Sequence, residues 1–318
     1  MKKFLAGILM LASVTAFAEE VHQPKMDMSM VPVGIINSSN GVVFRPGVMG
    51  IVLQHESVKM DELYKGTDEA TLTLSTGQSQ TKEVTVNRTN TTLRYGIGKG
   101  FDIRAIIPYV DKEVKVGART QQGLIEKDFD SSGLGDIQLV SRYQILDQLK
   151  SDSMFMTAGA GVKFATGESE EKKNGTFMPM AVQNGSGSTD YLAEFGVTKL
   201  LGRHRIDGYA VYLFNTEGSQ DFKFGDVAKY DIGYSFSVTK FFDLEIELNG
   251  KTQAKNEQYG QKIASSGSTT YSVTPGFHIR RGQNLHFSVG VPYTIYRDVN
   301  GTQPTADMSI MTRLSFQH

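Results

Sequence analysis

Tyr230-Asp231-Ile232-Gly233-Tyr234-Ser235-Phe236-Ser237-Val238-Thr239-Lys240-Phe241-Phe242-Asp243-Leu244-Glu245-Ile246-Glu247-Leu248-Asn249 alternates apolar and polar residues on both sides of one short turn. Tyr230, Ile232, Tyr234, Phe236 and Val238 form one set, and Asp231, Gly233, Ser235, Ser237 and Thr239 the other. Period 2 sends the two sets to opposite faces of a strand. Leu244, Ile246 and Leu248 then alternate with Glu245, Glu247 and Asn249. This is a long antiparallel hairpin with one greasy face and one polar or charged face.

The pattern recurs along the chain. About twelve strands are expected, near 48–58, 87–97, 101–111, 134–146, 153–166, 189–200, 204–215, 227–240, 242–252, 268–280, 284–296 and 305–318. Several runs reach ten residues, as a tilted membrane-crossing strand requires; strands of soluble sheets are usually about half that. The connections alternate in length. Those at 98–100, 147–152, 201–203, 241–242 and 281–283 are short, and those at 59–86, 112–133, 167–188, 216–226, 253–267 and 297–304 are long. Short periplasmic turns and long outer loops mark an outer-membrane barrel, and an even strand count puts both ends of the sheet on the periplasmic side. The expected fold is all-β: an antiparallel transmembrane β-barrel of about twelve strands over residues 46–318.

Composition alone points elsewhere. The 318-residue chain is 39% hydrophobic, with formal net charge −1 and mean hydropathy −0.26. Only every second strand residue meets lipid, so the average is diluted. Balanced charge excludes nucleic-acid binding by bulk attraction. With Cys 0, disulfides, thiolate catalysis and cysteine-held metal clusters are excluded.

Met1-Lys2-Lys3, the apolar run from Phe4 to Phe17 and Ala16-Phe17-Ala18 compose a secretory signal peptide, residues 1–18, with cleavage after Ala18. Residues 19–45 follow as a periplasmic or lumenal segment. It contains His22, Met26, Met28 and Met30, soft donors suited to Cu(I). The plainer reading is a mobile periplasmic tail whose methionines are incidental or pack in the lumen, and no metal or other cofactor is assigned.

Inward-phase positions carry Arg94, Asp102, Arg104, Asp136, Arg142, Lys163, Asp190, Glu194, Glu245, Glu247, His278, His286 and Arg313. Two readings stand: a salt-bridged interior that braces the wall, or a polar pathway. Asp136, Asp190 and Asp307 begin descending strands; they form either an acidic ring at the outer mouth or ordinary strand starts. Pro108 and Pro292 interrupt ascending strands in the like sequences Ile107-Pro108-Tyr109 and Val291-Pro292-Tyr293. Proline cannot donate to a ladder, so each is either a candidate wall break opening sideways to lipid or the place where pairing ends.

No nucleophile elbow, phosphate loop or dinucleotide fingerprint is present, and His55 with Glu56 would point to opposite faces. No catalytic residue is assigned and the chain is not expected to be an enzyme.

Leu93-Arg94-Tyr95-Gly96, Ser132-Gly133-Leu134-Gly135-Asp136-Ile137, Val162-Lys163-Phe164-Ala165-Thr166-Gly167, Gly185-Ser186-Gly187-Ser188-Thr189-Asp190 and the run Val291 to Gly301, in this order, resemble the outer-membrane family named after the meta-pathway of phenol degradation. The resemblance spans roughly Leu93 to Phe316. It implies an outer-membrane barrel of a Gram-negative bacterium that passes small aromatic or other apolar solutes, and it carries no catalytic residues. The expected function is a channel or passive transporter. The alternative is a non-transporting structural or surface-interaction barrel, with a barrel hydrolase third. The partners implied are membrane lipid, a small solute and the barrel-assembly machinery, with no nucleic acid.

Overall fold

The computed structural model describes residues 28–147, 154–282 and 284–318. The signal sequence, His22 and Met26 lie outside them.

Twelve antiparallel strands close on themselves. They are β1 (Met49–Met60), β2 (Ser79–Gly98), β3 (Phe101–Thr120), β4 (Gly123–Leu134 continued by Gln138–Asp147), β5 (Met154–Lys163), β6 (Asp190–Leu201), β7 (His204–Phe214), β8 (Val227–Thr239), β9 (Phe242–Gln253), β10 (Ser268–Arg281), β11 (Leu285–Gly290 continued by Tyr293–Thr305) and β12 (Ser309–Gln317). Each pairs with the next. The register Gly50↔Gln317 to Val58↔Ser309 closes β12 onto β1. Closure satisfies every edge, the condition for a sheet in hydrocarbon. This is a closed antiparallel β-barrel.

The apolar phase faces outward. Ile51, Leu53, Leu93, Ile232, Leu244, Ile246, Leu248, Ile295 and Leu314 are all exposed, a band that would be costly in water and is paid for by lipid. Tyr95, Tyr109, Tyr143, Tyr191, Tyr234 and Tyr293 join it, apolar in body and wet at the tip. The turn between β2 and β3 runs through Gly98, Lys99 and Gly100, all at positive φ, a conformation glycine adopts without steric cost.

The outer connections differ from expectation. β2 begins at Ser79 and β3 ends at Thr120, so much of 59–86 and 112–133 is sheet. β3 and the first part of β4 form a hairpin from Tyr109↔Leu134 to Thr120↔Gly123. β11 likewise runs to Thr305, paired with the short strand Glu62–Gly66. Above the membrane the outer face need not be greasy. Asp111, Glu113, Lys115 and Asp128 occupy it, and the apolar alternation that signals a strand fades. The extension is held instead by Val114, Met178 and Val182, with Val84, Val116 and Phe129 packed against them. Ion pairs at the surface add to it. The Lys82 ammonium, 2.6 Å from Glu126, holds that carboxyl below its usual range.

Candidate functional site

The barrel interior is the site. A segment without regular structure, residues 31–48, crosses it, and its backbone is hydrogen-bonded by side chains of the wall. A strand would offer its own ladder; here buried N–H and C=O groups find wall side chains instead.

Asp102, 0% exposed, is the first anchor. Its carboxylate takes two bonds from Arg142, Nε at 2.9 Å and Nη2 at 2.6 Å. It also accepts the Arg94 guanidinium at 2.7 Å and the Phe44 backbone N–H at 2.9 Å. Both arginines donate onward to the Val42 carbonyl, at 2.6 and 2.9 Å, and Arg94 lies 3.9 Å over the Phe44 ring. Arg142 further holds Ser39 and the Asn40 carbonyl.

Glu245, Glu247 and His278 form the second anchor, on β9 and β10. Glu247 accepts the Ile36 N–H at 2.7 Å and the Asn37 N–H at 3.2 Å. His278 bridges Glu245, at 2.8 Å, and the Ser288 hydroxyl, at 2.7 Å. Arg313 donates to the Ile35 carbonyl at 2.8 Å. Ile35 and Ile36 are buried to 1% and 0% exposure. Glycine on the wall permits this closeness: a Cβ at Gly196 would lie 2.6 Å from the Asn40 carbonyl oxygen, and one at Gly96 would overlap the Arg45 carbonyl.

The remaining candidates do not touch this segment. Glu194 pairs with Arg104 and accepts the Tyr209 hydroxyl at 2.7 Å. Lys163 joins Asp136, at 2.8 Å, to Asp190, at 2.6 Å, and Ser186 completes that knot. Asp307 pairs with Arg297 at 2.6 Å. Asp136 and Asp190 share Lys163 and Asp307 has Arg297, so among the described residues the three acids do not form a free acidic ring. His286 is half-buried and makes no hydrogen bond among the described residues. Met28 and Met30 belong to a single helical turn, Met28–Met30. His22 and Met26, the other two soft donors, lie outside the described residues.

Arg280, an inward-phase position of the sequence, bonds Asp243 and the Val31 carbonyl. Sequence reasoning missed other anchors: Asp243, which holds the Val33 N–H at 3.0 Å; Arg205, paired with Asp207; and Gln144, which binds both Gly41 and Val43. All but Gln144 are charged and sit at the turn-proximal ends of their strands. Alternation alone could have flagged Asp207 and Asp243.

Regular strand pairing lapses at both proline sites. β3 passes through Pro108 unbroken on its β2 side, Asn90↔Pro108. On the other side Gly135, Asp136 and Ile137 leave the sheet between the two parts of β4. There Gly135 N–H bonds to the Pro108 carbonyl at 2.9 Å, and Thr166 takes the Ile137 N–H at 2.8 Å. In β11 the strand lapses at Val291-Pro292. Val291 N–H reaches the Pro275 carbonyl at 3.1 Å, and the Pro292 carbonyl accepts Ser309 N–H at 3.0 Å.

Beside Pro292 lies a cavity of ≈ 210 Å³, whose floor is Asn37 of the crossing segment. Val58, Pro292, Ala306 and Met308 line one side; Lys229, Asp231, Asn249 and Lys251 line the other.

A family model described as "Putative MetA-pathway of phenol degradation" matches residues 64–310. Among solved structures, an outer membrane channel from Pseudomonas putida F1 is similar at TM-score 0.64 and 14% identity, covering 89% of this chain and 100% of that one. A FadL homologue from Pseudomonas aeruginosa gives TM-score 0.42 and 7% identity over 86% and 90% of the two chains. A monoaromatic hydrocarbon channel, CymD, gives 0.40 and 11% over 86% and 88%. The first of these likenesses shows the barrel fold. A search of curated protein sequences returned no match.

Proposed function

The chain belongs to that phenol-degradation family, and on this premise we propose that it is a passive, non-enzymatic outer-membrane channel for small apolar solutes, aromatic ones included. One observation carries the reading: the cavity above Asn37 has an apolar side and abuts the wall interruption at Val291-Pro292. A solute entering from the outer face meets the crossing segment as a floor. The interrupted wall beside it offers a sideways exit into lipid, where an apolar solute is more stable than in water. Binding comes from a preformed pocket with a few polar groups, and no energy source is required. Residues 1–18 are removed on export, residues 19–45 act as the lumenal segment, and the barrel-assembly machinery inserts residues 46–318.

Single-channel recording of the reconstituted protein tests this. Conductance above the bare bilayer, reduced in a saturable way by phenol, is the expected result. A barrel that conducts nothing and speeds no solute uptake overturns it. The second reading, a surface-interaction barrel, draws on the ordered outer hairpin of β3 and β4. It predicts that silent result.

A further inference from the structure

Lys229 on β8 and Lys251 on β9 are directly opposite in the ladder and both project into the cavity. Both are exposed to lumenal solvent. Neither makes a salt bridge or hydrogen bond among the described residues, whereas every buried inward cation of the anchors has a partner. Like charges directly opposite across two strands are destabilising. Arg88 adds a third cation within electrostatic reach of Lys251, with Glu56 as the opposing charge. The other carboxylate of the cavity, Asp231, is occupied by the Asn249 amide at 2.9 Å. Three cations thus face two carboxylates, one of them held. The facing side is Val58, Pro292, Ala306 and Met308. The cavity is smaller than the roughly 300–1,000 Å³ of pockets for drug-sized ligands, which suits one ring.

We propose that this cavity is a recognition site for small aromatic carboxylates. The two ammonium groups clasp the carboxylate while the ring lies against the apolar side. The proposal rests on the channel reading and names its preferred solute class. A bound anion would relieve the lysine–lysine repulsion across the ladder. Hydrogen bonds to charged groups are the strong ones, so the pair should dominate affinity.

Benzoate is the probe, applied in planar bilayers to the full chain, with block of the chloride current as the readout. In the wild type, benzoate blocks saturably and acetate blocks more weakly. In Lys229→Gln/Lys251→Gln the half-blocking concentration for benzoate rises about ten-fold or more, and by a clearly larger factor than that for phenol, which brings no negative charge to the pair. Lys229→Arg/Lys251→Arg, which keeps both charges, retains the block and shows that the wall tolerates change there. Equal benzoate block in the wild type and the Gln variant, or no block in either, overturns the site while phenol block preserves the channel reading. Absence of any conductance overturns both.

Discussion

At the scale of single residues, the interior charges act mainly as anchors. Asp102 has two arginines and a backbone N–H on one fully buried carboxylate. Removing one partner of such a set leaves the others buried and uncompensated, at a cost of about 3–5 kcal/mol. Asp102→Asn should therefore lower the barrel's resistance to urea by that order, measured from loss of the compact band on unheated gels. Unchanged urea resistance would show that water compensates the arginines. Gly196→Val makes a different demand, because its side chain would occupy the space of the Asn40 carbonyl. The expected outcome is a protein that keeps its barrel but exposes residues 31–44 to protease. The anchors' identity was partly legible: Arg94, Asp102, Arg142, Glu245 and Glu247 all sit in the inward phase. Their ligand was not. Most of what they hold is peptide backbone of Val31 to Phe44, and a carbonyl or N–H carries no side-chain signal. The partners lie far apart in sequence, as with Asp102 and Phe44 or Arg313 and Ile35.

At the scale of elements, the strands were read well where lipid imposes a rule and poorly where it does not. β8 and β9 alternate because each outward residue must be apolar. β2 and β3 lose that constraint above the membrane, so alternation does not mark their outer halves as strand. Their order rests on the cluster of Val114, Met178 and Val182. Val114→Ala removes two buried carbons, worth about 2 kcal/mol at roughly 0.8 kcal/mol per methylene with a cavity term added. The expected result is faster proteolysis within 164–188 with the membrane-embedded barrel still protected. The prolines are the other element-scale device. Each removes a donor where its strand would otherwise continue, and at Pro292 the lapse adjoins the cavity. Pro292→Ala restores an N–H and the freedom to pair. If solutes leave through this interruption, the variant should pass apolar solutes more slowly at unchanged salt conductance. Equal slowing of both would instead indicate a general distortion of the barrel.

For the whole molecule, the question is whether the crossing segment moves when a solute passes. Its hydrogen bonds come from nearly every side of the barrel: Arg280 and Arg313 on β10 and β12, Glu247 on β9, Thr198 on β6, Arg142 on β4, Asp102 on β3. Displacing it would strand buried charges on several strands at once, each costing kilocalories. A fixed floor follows, with traffic passing above and beside it. The chain's lack of cysteine makes this directly testable. A Cβ placed at Gly233 would lie 3.4 Å from the Ile35 Cβ, near the roughly 3.5–4.5 Å that a disulfide spans. In Ile35→Cys/Gly233→Cys, oxidation should tie the segment to β8, and phenol block and salt conductance should match those of the reduced form. A conductance that collapses on oxidation and returns with reductant would make the segment a moving gate, and the anchors its latch.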